Sequence, residues 1–160
     1  MASRDYEEFI AALNDQGARY LVVGAHAVAF HARPRATKDL DILVEATAEN
    51  ARLVLAALRV FFGGADLGYT IEDFSNPRWI IQIGVAPVRI DLLMRIDGCE
   101  DFRTLWKNRV QAHFGAVTAH YLGLEDLIRA KEAANRLQDR ADVRVLRRAI
   151  ESRGKKRRPR

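Results

Sequence analysis

The segment KDLDILV, residues 38–44, places two carboxylates two residues apart inside an apolar run. Leu40, Ile42, Leu43 and Val44 favour a strand. Side chains at i and i+2 of a strand point to the same face. Asp39 and Asp41 therefore share one side of an element that otherwise favours burial. At about 5 Å and an effective dielectric near 20, their repulsion costs roughly 3 kcal/mol. A third carboxylate, Asp91, stands in VRIDLLM, residues 88–94, another apolar run. If the two strands lie side by side, the three acids meet. Buried carboxylates require partners, and a divalent cation is a natural one. Mg²⁺ takes hard oxygen ligands, commonly a few carboxylates together with phosphate oxygens. Such a site aligns a nucleophile and a leaving group for in-line displacement at phosphorus. Asp39, Asp41 and Asp91 are the expected catalytic and metal-binding residues, with Mg²⁺ as the expected cofactor and Mn²⁺ as the alternative.

A glycine turn precedes the acids. In VVGAHA, residues 22–27, a strand gives way to a helix at Gly24. A helix N-terminus offers free backbone N–H groups and a positive dipole end, and glycine lets an anion approach the backbone. Each piece also has a plainer role. Gly24 serves as an ordinary turn residue, Asp39 pairs with Lys38 or Arg35, and Asp91 pairs with Arg89 on the same strand face. Singly, the plainer roles are favoured; the three acids together with the glycine turn favour the chemistry.

The elements that must hold these residues can be read from pattern. A helix is expected over 5–16, stopped by Gly17, with Phe9, Ile10 and Leu13 inward. RYLVV forms a short strand, and AHAVAFHAR a buried helix ended by Pro34. After the acid strand, Thr47 caps a long helix with Leu53, Val54, Ala57 and Leu58 inward and Glu49, Asn50 and Arg52 outward. Residues 68–77 read as irregular strand and loop. Strands follow over 78–83 and 88–94, joined by a tight turn at 84–87. A helix is expected over 102–108, then a final helical pair over 124–135 and 139–151. Helices alternating with a small mixed sheet define an α/β or α+β class. Trp79 and Trp106 read as packing residues. His26 and His31 are five apart, so they do not share a face as zinc ligands would. His31 reads as structural, and His26, beside the glycine turn, as a wall of the site. Thr37 is expected to bond backbone at the strand start.

Composition narrows the classes. The chain has 160 residues, 49% of them apolar, which suits one globular domain, taken as residues 1–152. The N-terminal segment is acidic and lacks an apolar core, unlike a secretory signal. The longest nearly apolar run, residues 20–30, is too short to span a bilayer. Cys99 is alone, which excludes an intrachain disulfide and a thiolate metal cluster. A cytoplasmic location without a membrane partner follows. Net charge is +5, and the last six residues, KKRRPR, carry five positive charges, so the rest is balanced. Residues 153–160 are read as a basic tail, disordered or holding nucleic acid through phosphates.

The wording VGAHAVAFHARPRATKDLDILVE followed by VRIDLLM resembles the DNA polymerase β-type nucleotidyltransferase superfamily, and within it the small bacterial AbiEii-type nucleotidyltransferase toxins. The resemblance runs from about Tyr20 to Leu146 and includes a helical segment in which Lys131, Arg136, Asp139 and Asp142 match. It implies Mg²⁺-dependent transfer of a nucleoside monophosphate from an NTP to an acceptor hydroxyl. RNA, with tRNA foremost, is the implied acceptor, and an antitoxin protein an implied partner. A small-molecule acceptor and a non-catalytic nucleotide- or protein-binding role are the alternatives. By resemblance Gly24 lies against the triphosphate, Asp39 and Asp41 bind the metal, and Asp91 is the third acid. Lys131 reaches the phosphates; pairing with acids on its own helix is its plainer role. Ala25 stands where the pattern has Gly or Ser and contributes only its backbone N–H. Lys38, with Arg33 and Arg35, is placed to touch phosphates, a solvated loop being the alternative.

Overall fold

The computed structural model describes residues 3–99 and 101–157. In chain order the elements are α1 (Arg4–Gln16), β1 (Tyr20–Val23), α2 (Gly24–His31), β2 (Asp39–Val44), α3 (Ala48–Phe61) and α4 (Ile71–Ser75). There follow β3 (Ile80–Val85), β4 (Val88–Leu93), α5 (Phe102–Lys107), β5 (Val110–Phe114), β6 (Val117–Tyr121), α6 (Leu124–Ala134) and α7 (Leu137–Lys156). The strands form one six-stranded sheet in the order β3-β4-β2-β1-β6-β5. β2 and β4 run parallel, as do β1 and β6, and the other pairs are antiparallel. The expected mixed sheet flanked by helices and ending in a helical pair is what forms.

Alternation along the strands splits the interior into two layers. Leu40, Ile42, Val44, Ile90 and Leu92 pack with Phe9, Ile10 and Leu13 of α1 and Val54 and Leu58 of α3. On the opposite face Leu21, Val23 and Leu43 pack with Val28 of α2, Leu127 and Ile128 of α6 and Leu146 of α7. Asp39, Asp41, Arg89 and Asp91 share that second face by the period of two. The acids thus point toward the side covered by α2, α6 and α7.

Tyr6 ties the first layer to the acid strands. Its hydroxyl donates toward the carbonyls of Lys38 at 2.9 Å and Arg89 at 3.2 Å, at the starts of β2 and β4. One side chain therefore fixes both strands where their acids begin.

Three local readings are corrected by the structure, and one hairpin is not among the elements read from the sequence. Asn50, expected outward, is 3% exposed. Its Oδ1 accepts from the Arg19 amide at 2.8 Å, and its Nδ2 donates to the carbonyls of Arg19 and Glu45 at 3.0 Å each. Backbone groups buried at the ends of β1 and β2 need partners, and that need outweighs helix-face polarity. Residues 71–75, expected as strand and loop, form α4. The Thr70 hydroxyl accepts from the Asp73 amide, and the Asp73 carboxylate accepts from the Thr70 amide at 2.8 Å. This reciprocal cap is a signal present in the spacing T-x-x-D. The β5–β6 hairpin, in VQAHFGAVTAHY, extends the sheet beyond β1; its alternation around Gly115 is a regular hairpin pattern. Finally, the basic end expected as a tail from Arg153 is helical through Lys156, and the Arg153 guanidinium donates to the His31 carbonyl at 2.9 Å. Residues 158–160 lie outside the described residues. Among the described residues, no helix is long and apolar enough to cross a membrane.

Candidate active site

The register of β2 against β4 assembles the site. Asp41 is the direct neighbour of Asp91, and Asp39 the direct neighbour of Arg89. Parallel neighbours lie about 4.8 Å apart, so Asp41 and Asp91 project side by side from one face. Across the other edge of β2, Val23 is the neighbour of Asp41, which brings the β1–α2 turn alongside. Gly24 has φ +64°, and a Cβ there would stand 2.2 Å from Asp41 Oδ2. The Asp41 carboxylate therefore rests against the bare backbone of Gly24. Gly24→Ala is expected to push that carboxylate out of place and to add about 1–2 kcal/mol of left-handed strain. Thermal unfolding of G24A should show a lowered Tm together with lost nucleotide binding by calorimetry.

Arg89 occupies the space between the other two acids. Its Nη2 lies 3.0 Å from Asp39 Oδ2 and 3.1 Å from Asp91 Oδ2. Its Nε lies 3.1 Å from Asp91 Oδ1, yet both atoms are buried without a hydrogen bond, because the N–H does not aim at the oxygen. Asp41 has no such cation: among the described residues no lysine or arginine reaches it within ion-pair distance. Burial pushes its carboxyl up to about 6, and the Asp91 and Asp39 charges push in the same direction. The expected partners of Asp39, Lys38 or Arg35, do not pair with it; Arg89 does. The Arg89–Asp91 pairing is as anticipated.

The third wall comes from the helical pair. Lys131 on α6 lies 3.2 Å from Asp139 and 3.0 Å from Asp142, both on α7, not on its own helix. Arg136 Nε lies 2.7 Å from Asp139, Gln138 donates to Asp142 at 3.0 Å, and Arg35 also pairs with Asp142. Burial alone would raise the Asp139 pKa, but the bonds from Arg136 and the Lys131 charge outweigh it and hold it below the usual value. Lys131 is thus held by two buried carboxylates of α7.

These walls enclose a cleft of about 740 Å³ in which Gly24, Asp41, Asp91, Lys131, Arg136 and Asp139 take part. Asp39 shares the sheet face, but it and Arg89 stand outside the lining. Ala25 is buried in α2, and Lys38 is exposed ahead of β2; neither lines the cleft. His26 packs between the rings of Tyr6 and Phe114, with centroids at 5.7 and 5.1 Å, and is not a wall of the cleft as expected. His31 is structural as read, with Nε2 2.7 Å from the Leu122 carbonyl. Thr37 bonds the backbone of Asp39 as read. Trp106 stacks under Arg109, 3.9 Å from its guanidinium carbon, and packs as expected. Trp79 does not: it is 54% exposed and borders the cleft. A neighbouring groove of about 790 Å³ shares Pro77, Arg95, Ile96 and Asp97 with the cleft, and none of the three acids lines it.

Among the described residues no three His, Cys, Asp or Glu side chains stand grouped to hold a metal ion. The reason is visible in Arg89, which lies within 3.1 Å of both Asp91 oxygens and 3.0 Å from Asp39 Oδ2. The donor chemistry nonetheless fits a hard cation. Asp41 and Asp91 are adjacent carboxylates, and Asp41 has no ion-pair partner among the described residues.

No curated protein matches this chain. A family model does, across residues 2–158, so the acid strands, the glycine turn and the helical pair all fall within it. The chain belongs to the family described as nucleotidyl transferase of unknown function (DUF2204), and its activity is that of a nucleotidyltransferase.

Proposed function

We propose that the protein transfers a nucleoside monophosphate from an NTP to an acceptor hydroxyl, with Mg²⁺ or Mn²⁺ as cofactor and RNA as acceptor. The observation that carries this reading is the in-register pairing of Asp41 with Asp91 against the bare backbone of Gly24, facing Lys131. Asp41 and Asp91 would hold the metal, with Asp39 joining them when Arg89 releases it. A bound divalent ion would neutralise phosphate oxygens and favour ionisation of the attacking hydroxyl. The chain's own groups do the rest. Gly24 seats the Asp41 carboxylate beside the start of α2, whose N-terminus would meet phosphate, and Lys131 meets the phosphates with a positive charge. The acceptor oxygen attacks the α-phosphorus, its proton passes to Asp91, and the bond to the bridging oxygen breaks to release pyrophosphate.

α7 supports an RNA acceptor over a small one. It starts at the cleft, where Arg136 and Asp139 take part in the lining, and carries the exposed residues Arg140, Arg144 and Arg148 at i, i+4 and i+8. Such spacing forms one stripe on a helix, and a stripe of arginines suits a phosphate backbone. The resemblance of the acid segment to AbiEii-type toxins extends the reading to a toxin restrained by an antitoxin protein.

The test is incubation with each α-labelled NTP, Mg²⁺ or Mn²⁺ and total RNA. Label on a defined RNA with release of pyrophosphate is expected. Turnover confined to a small-molecule acceptor would remove RNA from the reading, and no pyrophosphate release with any NTP and either metal would overturn it.

A further inference from the structure

The cleft has an apolar end that the phosphate chemistry does not use. Trp79 is 54% exposed and Ile80 60% exposed, and both take part in the lining with Asp41, Asp91 and Lys131. Large apolar side chains so uncovered beside a polar site need an explanation. The sheet supplies the reason they are bare. Ile80 and Gln82 fall on the same face of β3 as Asp91 on β4, because Gln82 is the direct neighbour of Asp91 and Ile80 that of Leu93. The helices on that face pack over β1 and β2, and no β3 residue joins their core. The edge strand therefore presents an open shelf, with Trp79 at its start.

We infer that Trp79, beside Ile80 in the lining, is the platform on which the nucleobase of the NTP stacks. The inference rests on the nucleotidyltransferase reading of the same cleft and adds the position of the base. Trp79 precedes Gln82 by three positions. At about 3.3 Å per residue along the strand and about 4.8 Å across to β4, Trp79 lies about 11 Å from Asp91. A nucleoside triphosphate spans that scale between its α-phosphate and its base. An indole face accepts any base, because every base has a π-face. Gln82, Asp97 and Arg78 also border this end of the cleft and are the groups within reach of a base edge. The charged end of the ligand and the charged end of the cleft then coincide, as do their flat apolar ends.

The chain has two tryptophans, and Trp106 packs under Arg109, so Trp106→Phe leaves Trp79 as the reporter. ATP, GTP, CTP, UTP and inorganic tripolyphosphate are titrated with Mg²⁺ into this variant and into Trp79→Ala. Each NTP is expected to quench Trp79 fluorescence, and tripolyphosphate to bind with little quenching. By calorimetry, Trp79→Ala should weaken every NTP about 5- to 150-fold, the range measured for loss of one stacked base. Its tripolyphosphate affinity should match wild type, and Trp79→Phe should restore most of the NTP affinity. Equal NTP affinities in wild type and Trp79→Ala overturn the platform. Equal weakening of tripolyphosphate and NTP overturns it as well, because Trp79 would then be shaping the phosphate end. Wild-type protein that binds neither NTP nor tripolyphosphate overturns the nucleotidyltransferase reading itself, and the platform with it.

Discussion

Asp41→Asn is expected to raise the melting temperature of the metal-free protein above pH 6 while removing nucleotidyl transfer. The Asp41 carboxyl is pushed up to about 6, first by burial and then by the neighbouring charges of Asp91 and Asp39. A carboxyl whose pKa is higher folded than unfolded binds its proton more tightly in the folded state. Stability is then greatest below the unfolded pKa of about 3.9 and declines as pH rises toward about 6. Above that, the ionised group costs the fold up to about 3 kcal/mol, since each tenfold difference in proton affinity between the folded and unfolded states corresponds to about 1.4 kcal/mol. Asparagine keeps the shape and has no charge to desolvate. For a chain of this size a gain of that order raises Tm by about 6–12 °C. The same substitution deletes a hard anionic oxygen, and transfer should fall on the order of 10³-fold or more, the scale found for single groups that stabilise charge in phosphoryl transfer. Calorimetric scans at pH 4 and pH 8 check the sign: the Asp41→Asn advantage should be present at pH 8 and nearly absent at pH 4. An unstable variant, or one that transfers at the wild-type rate, would sink the assignment of Asp41.

Lys131→Met is expected to do the opposite to stability. Lys131 is 11% exposed in its side chain, and the two carboxylates that hold it, Asp139 and Asp142, are 2% and 4% exposed. Removing one partner of a buried ion pair leaves uncompensated charge and costs about 3–5 kcal/mol. Arg136 on Asp139, and Arg35 with Gln138 on Asp142, remain in place, which sets the expected loss near the lower bound. The sign with pH follows from Asp139, whose pKa is depressed: burial opposes ionisation, and the Arg136 bonds and Lys131 charge overcome it. Stability from such a group is present above the unfolded value near 3.9 and is lost as pH falls through the lower, folded value. The deficit of Lys131→Met should therefore be full at pH 7 and shrink below about pH 4, where neutral acids no longer need the ammonium. Urea unfolding at pH 7 and pH 3 measures it. A variant as stable as wild type at pH 7 would show that Lys131 does not hold α6 to α7.

Local pattern specified the parts that period and residue type control. Asp39 and Asp41 share a face because a strand repeats every two residues, and Asp91 was marked by its place in an apolar run. Gly24 could be read because only a strand–helix turn with a close neighbour favours that residue there, and Gly17 and Thr47 bounded their helices by the same local rules. Information carried between segments was not legible. The register that sets Asp41, and not Asp39, opposite Asp91 is a pairing between two strands far apart in the chain. Arg89 could be foreseen beside Asp91, but its reach to Asp39 depends on that register. Asn50 turned inward because its amide ties together backbone groups at the ends of two strands far apart in sequence, accepting from the Arg19 N–H and donating to the Arg19 and Glu45 carbonyls. Trp79 stayed uncovered because β3 is an edge strand that the helices do not reach, and no property of the tryptophan itself says so. Hydrogen-bond periods and caps act within a few residues and are written in the sequence. Which strand is an edge, which acid meets which cation and what remains open to a ligand are decided by contacts between residues tens of positions apart, and those exist only once the layers have packed.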